Sequence, residues 1–203
     1  TSSSIRLCTL ALGVALALAV PASAGNVVIG AGSTLDLGTG SVDLGCSDLD
    51  LSGTLIAGSV GITGVRDVTI DPSGALNGGS ATISLAGDWN NAGTFDAGTS
   101  TVRIVDGCAL SSAVVSGSTG FANLAISSST AKQVRFTAGT TQSVTGLLTL
   151  LGTVGNRLEL RSTVDGNAAL LDVSGTSSAD YVNVQDIDAL AGNDILLPGN
   201  SIK

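Results

Sequence analysis

The chain has no histidine and no methionine, one tryptophan, one tyrosine and three prolines. Without histidine, neither a Ser-His-Asp nor a Cys-His constellation can be assembled. Lys and Arg together number 8 against 16 Asp and Glu. Phosphate binding needs clustered basic side chains, so this balance argues against nucleic acid as a partner. Scarce proline suits unbroken backbone ladders. Beyond Ala24 no stretch carries a convincing helical period with caps. No phosphate-binding loop is present, and Gly30-Ala31-Gly32 lacks the strand–helix context of a dinucleotide site. Of the acids only Glu159 is Glu. Asp favours turns and strand ends where Glu favours helices, so even the acidic residues speak against helix.

What the chain does have is a repeated phrase. Gly53-Thr-Leu-Ile-Ala-Gly58 returns as Gly74-Ala-Leu-Asn-Gly-Gly79 and as Gly93-Thr-Phe-Asp-Ala-Gly98, with a looser copy, Gly32-Ser-Thr-Leu-Asp-Leu-Gly38, before them. The apolar anchors Leu35, Leu55, Leu76 and Phe95 recur at steps of about 20 residues. Short strands and glycine turns on such a period specify a stacked solenoid. The strand signal is an apolar–any–apolar triplet, as in Val42-Asp43-Leu44, Leu49-Asp50-Leu51, Val68-Thr69-Ile70 and Val102-Arg103-Ile104. Period-two alternation puts the outer members inside and the middle residue in water. Three such strands per turn give a roughly triangular coil. The expected fold is therefore all-β, a single parallel β-helix with rungs of about 20 residues, the four anchors forming one interior column. An antiparallel β-sandwich or jelly roll is the competing architecture. Past Cys108 the triplets lie further apart and the turns between them lengthen, and the Ser/Gly-rich stretch 111–120 marks a change in coil geometry.

Residues 1–24 read as a secretory signal peptide: Arg6 supplies the positive start, 10–20 the apolar stretch, and Pro21-Ala22-Ser23-Ala24 the small-residue cleavage pattern. Residues 25–203 form the solenoid domain, with no membrane span expected in the mature form. Once Arg6 is removed, seven basic residues face 16 acids, a net charge of −9. Cys46 and Cys108 remain, about three repeats apart. Export favours a disulfide. Same-phase positions three rungs apart are separated by roughly 14 Å, whereas a disulfide spans Cα separations up to about 7 Å. Three outcomes stay open: irregular rungs that bring the cysteines together, pairing between chains, or free thiols.

Gly87-Asp88-Trp89-Asn90-Asn91-Ala92-Gly93-Thr94-Phe95-Asp96-Ala97-Gly98, the run Phe136-Thr137-Ala138-Gly139-Thr140-Thr141-Gln142-Ser143-Val144 and the phrase Tyr181-Val182-Asn183-Val184-Gln185-Asp186 resemble repeats of bacterial secreted β-helix proteins. These are adhesin-like surface proteins similar in style to filamentous haemagglutinin and autotransporter passengers. The resemblance implies an extracellular or cell-surface location and a structural or adhesive role rather than an enzymatic one. Two expectations compete. In one, the subunit associates with itself into a filament or matrix through open solenoid ends. In the other, a monomer binds surface glycan or a host surface on its flank. A polysaccharide-cleaving enzyme would need an acidic cluster, for which Asp43, Asp48, Asp50, Asp67 and Asp71 are the candidates; solvated middle and turn residues account for them more simply. No cofactor is expected. Stacked Asp-bearing turns make a structural Ca²⁺ the nearest metal candidate. Lys132, Arg135, Arg157 and Arg161 form a possible basic patch facing an acidic front half.

Overall fold

The computed structural model describes residues 5–6, 25–189, 192–195, 197 and 199–202. It is an all-β parallel solenoid of about eight turns, with no helix among the described residues. Turn one comprises Asn26–Ile29 and Thr34–Asp36; turn two the long bent strand Thr39–Leu51 and Thr54–Ile56; turn three Ser59–Ile70 and Ala75–Asn77. From turn four on, each turn has three separate strands. They are Thr82–Leu85, Trp89–Asn91 and Thr94–Asp96, then Thr101–Ile104, Ser112–Ser116 and Thr119–Phe121. Turn six has Asn123–Ser127, Gln133–Phe136 and Thr141–Val144. Turn seven has Leu147–Leu151, Leu158–Ser162 and Ala169–Val173, and turn eight Thr176–Asp180, Val182–Gln185 and Ile187–Asp188. Stacking like strands of successive turns makes three faces. The two long strands round a corner and serve faces one and two together.

Alternation aligns the apolar residues into interior columns. On face one Val42, Ile62, Ile83, Val102, Leu124 and Leu148 stand in register, each 8% exposed or less. On face two Val27, Leu49, Val68, Trp89, Val115 and Phe136 are likewise in register. On face three Leu35, Leu55, Leu76 and Phe95 stack rung on rung. Leu55 and Leu76 are fully buried, whereas Leu35 and Phe95, at the two ends of that column, are half-buried. Each fully buried Leu or Ile contributes roughly 1.5–3 kcal/mol.

The repeated phrase is corner chemistry. Gly58, Gly79 and Gly98 all have positive φ, and a Cβ on each would lie 2.2–2.4 Å from the carbonyl oxygen of the glycine one turn below. Only glycine tolerates both the backbone and the approach. Asp36, Asn77 and Asp96 precede the corner by two residues, and each side-chain oxygen accepts the N–H of the glycine two positions on. These Asx turns fix the bend.

Two departures from strict repetition matter. The spacing averages about 22 residues rather than 20, because later corners carry small hairpins closed by Gly107 and Leu110, Thr153 and Asn156, and Val164 and Asn167. Face three is also divided into two four-stranded sheets, ending at Thr94–Asp96 and restarting at Thr119–Phe121. Trp89, Phe95 and Phe121 fill the break, with ring centroids 5.0–5.9 Å apart. Of the 111–120 stretch, Ser112–Ser116 continues the face-two ladder, and Thr119 and Gly120 begin the second sheet of face three.

Candidate functional site

The corner between faces one and two gathers most of the unusual chemistry. Cys46 lies in the bulge of Thr39–Leu51 and Cys108 in the loop 105–111 of turn five. They form a disulfide with Cα atoms 5.5 Å apart. The strand ladders do separate these turns by three steps. The loops do not follow the ladders: both cysteines and Ala109 adopt positive φ, at 65°, 50° and 56°, and the 105–111 loop lies against the corners of the earlier turns. The Leu110 side chain packs on Gly87 of turn four, where a Cβ would meet its Cδ1 at 2.8 Å.

The same loop is held from the other side. Asp106 Oδ2 accepts the Ser129 N–H at 2.7 Å and its hydroxyl at 3.1 Å. Burial pushes the Asp106 carboxyl up, but hydrogen bonds from the Ser129 amide and from the hydroxyls of Ser128, Thr130 and Ser129 outweigh it and hold the pKa below the usual value. Lys132 of turn six is fully buried, and its Nζ donates to the Leu110 carbonyl at 2.7 Å. Burial depresses its pKa, with the Asp106 charge opposing the shift. Lys132 was expected in a surface patch. Its alkyl stem instead fills the corner under the loop, leaving only the ammonium to be satisfied.

Beside the disulfide runs an acidic ladder. Arg66 Nε donates to Asp67 Oδ2 at 3.0 Å and lies 3.3 Å from Asp48 Oδ1. Asp67 Oδ1 accepts the Asp88 N–H at 2.6 Å, and Asp88 Oδ1 accepts the Val114 N–H at 2.8 Å. Burial raises the Asp48 pKa; Arg66 offsets this, while Asp67 and Asp50 add to it. The other acids make different contacts. Asp43 closes a local turn on Gly45, Asp50 accepts from Asn26 on face two, and Asp71 accepts from the Ser52 hydroxyl at the next corner. The five Asp residues therefore do not converge on one point. Among the described residues, no group of three acidic or cysteine side chains is placed to hold a metal ion.

The basic patch shrinks accordingly. Arg135 and Arg161 are register neighbours projecting from face two. Arg161 is tied down, 3.7 Å from Glu159 and donating to the carbonyls of Leu160 and Asn183. Arg157 donates to the Asn200 carbonyl.

The solenoid ends differ from face to face. At the front, Ile5–Arg6 runs along Val27 and Val28 on face two; the rest of the expected signal peptide, 1–24, is outside the described residues. At the back, Ile202 bridges Asn183, exchanging backbone hydrogen bonds with Val182 and Val184, and the Val182 N–H bonds the Ser201 hydroxyl. The C-terminal stretch thus covers the face-two edge, contrary to the expectation of open solenoid ends; a turn at Gly199 and Asn200 brings Ile202 back. On face one the situation is reversed. Among the described residues, no strand runs along the front edge of 39–43 or the back edge of Thr176–Asp180. Exposed large apolar side chains also concentrate near the back: Leu147, Leu151, Val154, Val164 and Leu170 all belong to turn seven.

Comparison of the chain with family models, with curated proteins and with solved structures returned no match. Sequence reasoning missed the corner ladder, the Lys132 anchor and the turn-seven apolar residues. A signal for the last existed: Thr153-Val154-Gly155-Asn156 and Val164-Asp165-Gly166-Asn167 are paired Gly-Asn hairpin turns.

Proposed function

We propose that the chain is an exported structural protein whose solenoids associate end to end into an extracellular fibre or matrix. The observation that carries this reading is the pair of parallel edges on face one, 39–43 at the front and Thr176–Asp180 at the back, along which no strand runs among the described residues. An open edge displays unpaired N–H and C=O groups and templates pairing with another chain. Coaxial stacking in register sets Ser177 of one copy beside Val42 of the next and continues face one. Such a contact does not close on itself and gives filaments. The apolar residues of turn seven add area near the joining end, and a disulfide suits an oxidising, exported setting. Removal of a leader would also free the Asn26–Ile29 edge now paired with Ile5–Arg6.

Light scattering over a concentration series, with negative-stain microscopy, tests the reading. The expected result is growth into thin fibres with a repeat of about 4.8 Å along the axis. The Ser177→Lys variant, which points a charge inward on the open edge, should abolish growth while keeping β-sheet circular dichroism. A strictly monomeric wild type at high concentration and low salt would instead favour binding of a glycan or host surface on the flank.

A further inference from the structure

We infer that the Cys46–Cys108 bridge and its loop form a redox-switched longitudinal clasp, which takes residues 46–108 out of the load path when the solenoid is stretched along its axis. Each turn of a solenoid touches only its neighbours, so a pull on the two ends unravels the stack turn by turn. The disulfide departs from that rule. It joins turn two to turn five directly, across 62 residues of sequence and a Cα separation of 5.5 Å.

The clasp is built to seat rather than to dangle. Leu110 packs into the space that Gly87 leaves, so the loop rests on turn four. Lys132 Nζ holds the Leu110 carbonyl, and Asp106 holds Ser129, so the loop is also fastened to turn six. One short loop, 105–111, thereby ties turns on both sides of it. Its two neighbours Asp48 and Arg66 flank the Cys46 end. Unravelling from the front stops at Cys46, and unravelling from the back passes from Cys108 to Cys46 without releasing the intervening turns. Reduction opens the path: a dithiol gives up two electrons and two protons, becomes a disulfide itself, and leaves Cys46 and Cys108 as thiols. This inference stands whether or not the chains associate into fibres.

Single-molecule stretching of the full chain between its two ends tests it. The fully extended oxidised chain should be shorter than the reduced chain by about 20 nm, from 62 residues at roughly 3.3–3.6 Å each. The Cys46→Ser variant should give the long contour without reductant. Equal contours before and after reduction overturn the clasp, as does a Cys46→Ser chain that extends only to the short contour. If Cys46→Ser fails to fold, the wild type reduced after folding supplies the same comparison.

Discussion

Turns two to four and turns six to eight solve the same stacking problem differently. The early turns keep a nearly constant step and round their corner from face three to face one on stacked glycines, Gly38, Gly58, Gly79 and Gly98. The late turns take longer and less even steps on face one, from Val102 to Leu124, Leu148 and Ser177, with corner hairpins in the steps through turns five and seven. Away from the ends of the columns, both halves keep their inward residues buried. The inward columns are therefore the fixed quantity, and corner length is free as long as it returns the chain to register. Where the two regimes meet, face three breaks and aromatic rings replace a backbone ladder.

That junction should be the most sensitive place in the molecule. Trp89 is fully buried, donates its indole N–H to the Thr119 hydroxyl and touches both phenylalanine rings. Trp89→Ala should cost about 3–5 kcal/mol in a denaturant melt. Phe95→Ala should cost less, about 2 kcal/mol, because its ring is only half-buried. Equal losses for the two would mean that the half-buried Phe95 ring carries as much of the junction's packing as the buried indole.

The corners themselves are separable by glycine replacement. Gly79 and Gly155 both have positive φ, but a Cβ on Gly79 would meet the Gly58 carbonyl oxygen at 2.3 Å, whereas one on Gly155 meets nothing within 4 Å. Gly155→Ala should cost about 1 kcal/mol from backbone strain alone. Gly79→Ala should cost at least twice that, since the turns must move apart. Similar melting temperatures for the two variants would show that the early corners are no tighter than the late hairpins.

Lys132 links the two regimes and gives a pH signature. Its folded pKa lies below the ordinary 10.5, so the unfolded chain binds more protons between the two values. Stability should then rise with pH as it approaches 10.5, and the rise should disappear in Lys132→Met. Asp106 acts at the opposite end. Its folded pKa is depressed below 3.8, so its contribution is present above that value and is lost as pH falls through the folded pKa. Melts of both proteins from acid to alkaline pH read the two effects separately. The smallest effect belongs to the outward side of the column: Thr94, next to Phe95, is exposed, and Thr94→Ala should change stability by well under about 1 kcal/mol.

The coil itself was legible because it depends on local rules. Alternation decides which side chains point inward, and the recurring glycine and Asx positions decide where the chain bends. The column Leu35, Leu55, Leu76 and Phe95 could be written down from spacing alone for that reason. The late turns were harder, since hairpins present at some corners and not at others erase the period while leaving the columns intact. The cysteine geometry was not legible at all. A distance computed along the ladder applies to strands, and both cysteines have positive φ and sit where the chain leaves the ladder.

The sequence by itself determined an all-β chain with a repeating inward face, because strand alternation and glycine corners act over a few residues. Only the tertiary structure decided that Lys132 is buried, that Leu110 rests on Gly87, that Cys46 meets Cys108, and that face one stays open at both ends among the described residues. Each of these is a matter between turns rather than within one. Its geometry is set by how far the corner loops between those turns reach, which no local pattern encodes.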